Sequence, residues 1–242
     1  MKQFLFILIS FTTFAQSPAI KFEIESIKSI DSISTERIFI INYYIENLTN
    51  NEVSFFLNPN NLIPNSRASM SKNVAYNLYE NDEKLYLVDV FSTRQMINYR
   101  RKWESIKNNS ERDKFLNENL SKEINIKIDS ITKGKKEHQE IENYFLKKER
   151  EMLLKSRMKL APKDIKKYSI ALIWDKTRYY KIDDIEFYIN ENLPHYINLS
   201  INLMKEEFKD KLSPDEFQKI MSNPYFLKGW FTSNKMEINL RE

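Results

Sequence analysis

The chain has 242 residues, no cysteine, only two glycines and a net charge of +4. Without cysteine it can form no disulfide, no thiol nucleophile and no cysteine-ligated metal site, and two glycines cannot supply the glycine-rich loops that cradle phosphate. Beyond the first 15 residues, no apolar run approaches the ~20 residues that a membrane helix needs. A chain of this length can still bury a core that is stable without disulfides.

Residues 1–15 have the pattern of a secretory signal peptide. Lys2 precedes a short apolar run, and Thr13 and Ala15 occupy the positions where a signal peptidase requires small side chains. We therefore expect an exported protein, periplasmic or secreted, whose mature chain begins near Gln16.

Residues 16–93 have the periodicity of β-structure. Ile20, Phe22 and Ile24 alternate with charged residues, which predicts a half-buried strand. The run from Ile38 to Ile45 is almost wholly apolar and predicts a strand that is covered on both faces. A polar turn at Asn81 and its neighbours predicts a later hairpin, with one strand on each side.

The stretch INYYIENLTNNEVSFFL reads as a hairpin of two apolar strands around a polar turn, residues 41–57. It resembles the second and third strands of many immunoglobulin-like modules. That resemblance implies an antiparallel sandwich.

Residues 94–163 change to a helical period. Apolar residues recur every three or four positions through Leu116 and again through Phe145, Met152 and Leu153, with Gly134 between the two stripes. We predict two long antiparallel helices that form a hairpin, preceded by a shorter helix and ended at Ala161-Pro162. The stretch from residue 94 to 167 carries 21 basic and 12 acidic residues, whereas the rest of the mature chain is acidic.

Residues 164–242 return to β periodicity. A strand ending at Trp174 and a cleanly alternating strand from Ile197 to Leu203 are predicted. Ser213, Pro214 and Glu216 form a capping-box pattern that predicts a helix over 213–222. The apolar residues from 226 to 240 are expected to form a closing hairpin.

These patterns together predict an α+β protein. Its body is an antiparallel β-sandwich of immunoglobulin-like type, built from residues 16–93 and 164–242, which pair with each other. An α-helical hairpin is inserted between them, and a short helix lies near the C-terminus.

One group of candidate binding residues is aromatic and basic. Trp174, Arg178 and Tyr179 fall around one strand end, and Trp230 lies near the C-terminus. Rings and a guanidinium suit the surface of a sugar or a peptide. The alternative is that Trp174 points into the core and the tyrosines line a sheet edge.

A second group lies in the basic insertion. The cations at its base, among them Arg101 and Lys155, would stand next to the acidic body and can serve docking within the chain. Lys133, Lys135 and Lys136 are placed at the far tip, where an anionic partner outside the chain is the more direct explanation.

No catalytic signature accompanies these groups. His138 and His195 are the only histidines and lie in different elements, so we predict no metal site and no cofactor. We expect a non-catalytic binding or cell-envelope interaction module whose partner is an envelope protein or glycan, not nucleic acid. The alternative functions are an envelope glycan- or peptide-acting hydrolase that uses Asp and Glu residues, and an accessory component of a larger exported assembly.

Overall fold

The computed structural model describes residues 18–65, 72–85, 91–92, 94–124, 135–176, 180–182, 185–187 and 189–241. The strands, in chain order, are β1 (Ile20–Ile33), β2 (Glu36–Asn47), β3 (Val53–Phe56), β4 (Asn58–Pro64), β5 (Asn73–Glu80), β6 (Glu83–Leu85), β7 (Phe91–Ser92), β8 (Arg157–Leu160), β9 (Ile165–Asp175), β10 (Tyr180–Ile182), β11 (Ile185–Phe187), β12 (His195–Leu203), β13 (Gly229–Thr232) and β14 (Met236–Ile238). The helices are α1 (Arg94–Ser105), α2 (Asn109–Ile124), α3 (Lys135–Lys155), a 3₁₀ helix (Lys205–Lys211) and α4 (Pro214–Ser222).

The first sheet has the strand order β1-β2-β9-β7. In β1 the apolar alternation buries Ile20, Phe22 and Ile24, as expected from the sequence. The expectation that β2 is covered on both faces is wrong, since buried and half-buried residues alternate along it from Ile38 to Ile45. Its buried residues face the core, and the side chains between them lie on the outer face of the sheet.

The second sheet is built around β12 and β5, which pair antiparallel from His195 to Ile201. The edge of β5 that faces away from β12 pairs with two strands, β4, which is parallel to it, and β6, which is antiparallel. The edge of β12 that faces away from β5 pairs with β13 and, further along, with β14. The expected closing hairpin is therefore wrong, because β13 and β14 lie end to end along one strand instead of pairing with each other.

The two halves of the chain pair with each other in both sheets. In the first sheet β2 pairs with β9, and in the second β5 pairs with β12, so each sheet joins strands from before and after the helical insertion. One cluster of buried side chains receives residues from both sheets, including Tyr43, Leu172, Tyr76 and Leu199. Two sheets around a shared core fit a β-sandwich.

β3 differs from the expectation in its partner. It pairs with β8, from Val53 opposite Leu160 to Phe56 opposite Arg157, and not with β2. The predicted hairpin of residues 41–57 is therefore wrong, as is the extension of the helical insertion to residue 163. Helix α3 ends at Lys155, and Arg157–Leu160 alternate between exposed and buried positions as a strand does.

Among the described side chains of the two predicted helical stripes, three of four are exposed. Leu116, Phe145 and Met152 are 42%, 41% and 50% exposed, whereas Leu153 is fully buried. Leu153 packs with Phe208 in a second apolar cluster under the 3₁₀ helix and α4. The last turns of α3 thus dock on the C-terminal helices. The turn of the predicted hairpin falls in residues 125–134, which lie outside the described residues, so the antiparallel pairing of α2 and α3 stays a prediction.

Two local predictions at turns and caps can be compared with the backbone. Ser213 and Glu216 form the complete capping box, and α4 ends at the C-cap Asn223 as expected. The hairpin between β5 and β6 turns at Asn81, whose φ of +53° is in the left-handed region. Asparagine adopts this conformation more readily than other non-glycine residues, so Asn81 here takes a role that glycine usually has.

Candidate functional site

The structure separates the aromatic candidates. Trp174 is 2% exposed and belongs to the core cluster, in agreement with the alternative that its ring packs inside. Trp230 is 55% exposed and lies on β13, in the other sheet. Arg178, Tyr179 and Lys133 lie outside the described residues. Lys135 and Lys136 begin α3, but their side chains lie outside the described part.

Trp230 borders a groove of about 390 Å³ between β1 and β13. The groove is lined on the β1 side by Pro18, Lys21 and Glu23, and on the other side by Trp230, Thr232 and Asn234. Among the described strands, β1 and β13 are at the edges of their sheets, and the groove lies between these two edges.

The orientation of Trp230 follows from strand alternation. Phe231 packs against the core, so Trp230 points to the opposite face of β13. The preceding Gly229 has a φ of +133°, a conformation that a residue with a side chain rarely adopts. Gly229 therefore permits the backbone conformation with which the chain enters β13.

The main-chain groups of β1 that face the groove can be deduced from two hydrogen bonds. Leu48 N donates to Ala19 O at 3.0 Å, so alternate residues from Ala19 onward direct their peptide groups to β2. Ile24 N, by contrast, donates to Asn234 Oδ1 at 2.9 Å, on the other side of the strand. By the same alternation, the peptide groups of Ile20 and Phe22 point away from β2 and into the groove.

Charged side chains stand on the outer face of β1. Lys21 Nζ lies 2.9 Å from Glu23 Oε2, which also accepts a hydrogen bond of 2.6 Å from Tyr44 Oη. The Tyr44 hydroxyl, followed by Lys21, holds the pKa of the Glu23 carboxyl below its usual value. The pKa of Lys21 is raised by the hydrogen bonds of its ammonium group to Tyr44 and Glu23. Both charges therefore persist at neutral pH.

The two edges are joined at one end of the groove. Asn234 Nδ2 donates to Ile24 O at 3.2 Å, in addition to the bond that Asn234 Oδ1 accepts. Ser233 N donates to Leu199 O, and Leu199 N donates to Ser233 Oγ, both at 2.8 Å. Ser233 thereby bridges the gap between β13 and β14 on β12, and Asn234 closes the groove beyond Ile24.

Basic residues of the helical insertion form ion pairs with acidic residues elsewhere in the chain. Arg94 and Arg101 both bind Glu36, whose side chain is only 2% exposed, at 2.7 and 2.5 Å. Arg150 of α3 binds Glu216 of α4 at 2.7 Å. These contacts support the interpretation that part of the positive charge docks the helices on the body.

The last features to be located are the buried histidine, groups of metal-ligating side chains and membrane-spanning helices. His195 is 1% exposed, and its Nε2 lies 3.3 Å from Glu80 Oε2 on the neighbouring strand. No group of three or more metal-ligating side chains occurs in the described part of the chain. None of the described helices combines the length and the apolar character required to cross a bilayer.

Comparisons with protein-family models, with curated proteins and with solved structures find no match to this chain.

The sequence contained only part of the signal for this groove. Trp230 was identified as a candidate, and Lys21 and Glu23 were placed on the outer face of a strand. Ser233 and Asn234 fall within the expected closing hairpin, where the sequence predicts no binding role for them. What the sequence could not indicate is that β1 and β13 would become neighbouring edges, because that depends on contacts more than 200 residues apart.

Proposed function

We propose that this protein is an exported, non-catalytic binding module that recognises an extended polypeptide segment in the groove between β1 and β13. Export is inferred from the leader pattern of residues 1–15. The immunoglobulin-like topology stays part of this proposal, supported by two sheets around one core.

The observation that carries the proposal is that peptide groups of β1 point away from β2 beside an exposed indole. A strand edge whose peptide groups point outward can pair with an added extended chain. Ile20 and Phe22 supply these groups, and Trp230 supplies apolar area at low entropic cost. Asn234 already occupies the next outward position, at Ile24, so the added strand would end there.

The charges of the groove add specificity. Lys21 and Glu23 lie on the same face of β1, two residues apart, which is the spacing of side chains on one face of a strand. A bound segment with an acidic and a basic side chain at that same spacing would meet complementary charges. The side chain of Lys21 is 43% exposed and that of Glu23 is 38% exposed, so these charges contribute to selectivity more than to affinity.

The proposal can be tested with a phage-displayed library of random peptides on the immobilised full chain. Enriched peptides are then synthesised and titrated against the wild type and Trp230→Ala by calorimetry. We expect the substitution to weaken binding by at least about tenfold, as for a central aromatic contact. Tyr225→Ala is the matched control, since Tyr225 is 46% exposed and is not part of the groove.

Backbone pairing has its own signature. N-methylation of alternate residues of a bound peptide removes the donors on one edge only, so one of the two alternating sets should abolish binding and the other should not. The proposal is overturned if the library enriches no peptide, if Trp230→Ala binds as tightly as the wild type, or if both methylated sets bind equally well.

A further inference from the structure

A second cleft, of about 490 Å³, lies between β4 and the end of α3, away from the groove described above. Its lining includes four asparagines, Asn58, Asn60, Asn61 and Asn73, together with Lys72 and Lys155. We propose that this cleft binds an acidic oligosaccharide, a ligand with many hydroxyl groups and with carboxylates at intervals.

The backbone of the cleft is fixed by neighbouring elements. Leu57 N donates to Ser156 O at 2.8 Å, which connects the start of β4 to the end of α3. Asn58 N donates to Lys72 O at 2.7 Å, which connects the same segment to the residue before β5. The cleft therefore exists before any ligand enters, and binding would not require these segments to be ordered first.

The amide side chains suit hydroxyl groups. Asn61 Nδ2 donates to Asn73 Oδ1 at 3.0 Å, and Asn58 Oδ1 accepts a bond of 3.3 Å from Asn60 N. These two bonds orient the amides and leave Asn61 Oδ1 as an acceptor and Asn73 Nδ2 as a donor. Each hydroxyl of a sugar both donates and accepts, so paired amide donors and acceptors match it.

The charge of the cleft is positive. Glu149 is shared by Lys211, at 2.5 Å, and Lys72, at 3.5 Å, so one carboxylate faces two ammonium groups. Lys155 has no ion pair with any other described residue. A position in the last turn of α3 favours a cation through the helix dipole, which accounts for Lys155 by itself.

The positive surface continues beyond that last turn. A neighbouring cleft of about 360 Å³ shares Met152 and Lys155 with the first and is also lined by Tyr144, Lys147, Lys148 and Glu151. These residues recur at spacings of three, four and seven, which places them on one face of α3. Three lysines and one glutamate on this face leave it net positive where it leads into the amide-lined cleft, which fits a linear ligand with repeated negative charges. The helix dipole does not explain lysines that precede the last turn.

The test uses the full chain and three probes: a linear oligosaccharide of galacturonate, the same oligosaccharide with its carboxylates reduced to alcohols, and inorganic polyphosphate. We expect saturable binding of the acidic oligosaccharide, weakened by about tenfold or more in Lys147→Gln/Lys155→Gln, as two cation contacts are lost. Asn61→Ala should also weaken binding without lowering the melting temperature. The carboxyl-reduced oligosaccharide should bind much more weakly.

Two control variants separate this site from others. Lys28→Gln/Lys107→Gln removes the same charge from exposed positions outside the cleft and should bind like the wild type. Trp230→Ala should also leave oligosaccharide binding unchanged, so the failure of one proposal does not affect the other. The inference is overturned if the acidic oligosaccharide does not bind, if both lysine pairs weaken it equally, or if polyphosphate binds equally well with no effect of Asn61→Ala.

Discussion

Asn234 binds both main-chain groups of Ile24, accepting from its N–H at 2.9 Å and donating to its C=O at 3.2 Å. A single side-chain amide thus takes the place of a neighbouring strand at this position of β1. The register of β1 with β2 shifts at the same point, between Ile24 and Ser26. The contact links the first sheet to the connection between β13 and β14 in the second.

Removal of this amide should loosen the junction of the two sheets. We predict that Asn234→Ala lowers the free energy of unfolding by about 1–3 kcal/mol, since two hydrogen bonds at roughly 1 kcal/mol each are lost. Chemical denaturation measures the change, and hydrogen exchange should show faster exchange of the Ile24 amide. Asn202→Ala, on the adjacent strand β12, is the control. Unchanged exchange at Ile24 in Asn234→Ala would contradict the role of this contact.

Glu36 should hold α1 on the body. Its carboxylate is buried, whereas the two arginines that bind it, Arg94 and Arg101, are 46% and 53% exposed. In Glu36→Gln the charges of Arg94 and Arg101 are still hydrated. We therefore expect the free energy of unfolding to fall by about 1–2 kcal/mol, less than when a fully buried ion pair is broken.

Limited digestion with trypsin measures the effect of Glu36→Gln locally. Cleavage within α1 should be faster than in the wild type, because the helix leaves the sheet more often. Glu118→Gln, an exposed change on α2, should leave the cleavage rate as it is. Equal rates for Glu36→Gln and the wild type would show that α1 is held by other contacts.

Lys205 is a buried cation whose Nζ faces three main-chain carbonyls. It lies 3.3 Å from Ile220 O, 3.4 Å from Met221 O and 3.5 Å from Phe226 O, at the C-terminal end of α4. We predict that Lys205→Met lowers the free energy of unfolding by about 1–3 kcal/mol, because the carbonyls of Met221 and Phe226 lose the ammonium donor while Ile220 O keeps only Asn223 N. Thermal unfolding of the two proteins provides the measurement. A more stable Lys205→Met would mean that desolvation of the ammonium outweighs its hydrogen bonds.

The ion pair between α3 and the 3₁₀ helix should depend on pH. The Lys211 ammonium, 2.5 Å from Glu149 Oε1, holds the pKa of that carboxyl below its ordinary value of 4.5. A lowered pKa in the folded state means that ionised Glu149 stabilises the fold above pH 4.5. This contribution disappears as the pH falls through the folded-state pKa.

We therefore predict that Glu149→Gln lowers the melting temperature by about 1–3 °C at neutral pH. The difference from the wild type should vanish well below pH 4.5. A cycle with Lys211→Met and the double variant isolates the pair. A melting-temperature difference that persists in acid would assign the effect to packing instead of charge.

Local patterns in the sequence predicted the elements whose stability depends on nearby residues. The alternation of β1, the hairpin turn before Glu83 and the capping box at Ser213 agree with the structure, because each depends on residues within a few positions of one another. The strand β12 forms where its alternation predicts, but its polar residues Asn198 and Ser200 are buried as well. The pairing of strands from the two halves was also expected, since few strands are stable by themselves.

Tertiary contacts determined the choice of partners. Residues 53–56 pair with β8 instead of β2, and β13 and β14 share one edge instead of pairing, although each segment was recognised as apolar and strand-like. Strand periodicity shows which face of a strand is buried, but it does not identify the strand that provides the hydrogen bonds.

The sequence by itself determined that the chain forms a β-rich body interrupted by helices, because burial of apolar residues follows a period that local spacing reveals. Only the tertiary structure decided that Trp174 is in the core, that Trp230 is exposed, and that the buried charge of Glu36 has two arginine partners. These outcomes depend on residues distant in the chain, and the free energy of such contacts has no signature in a single local segment.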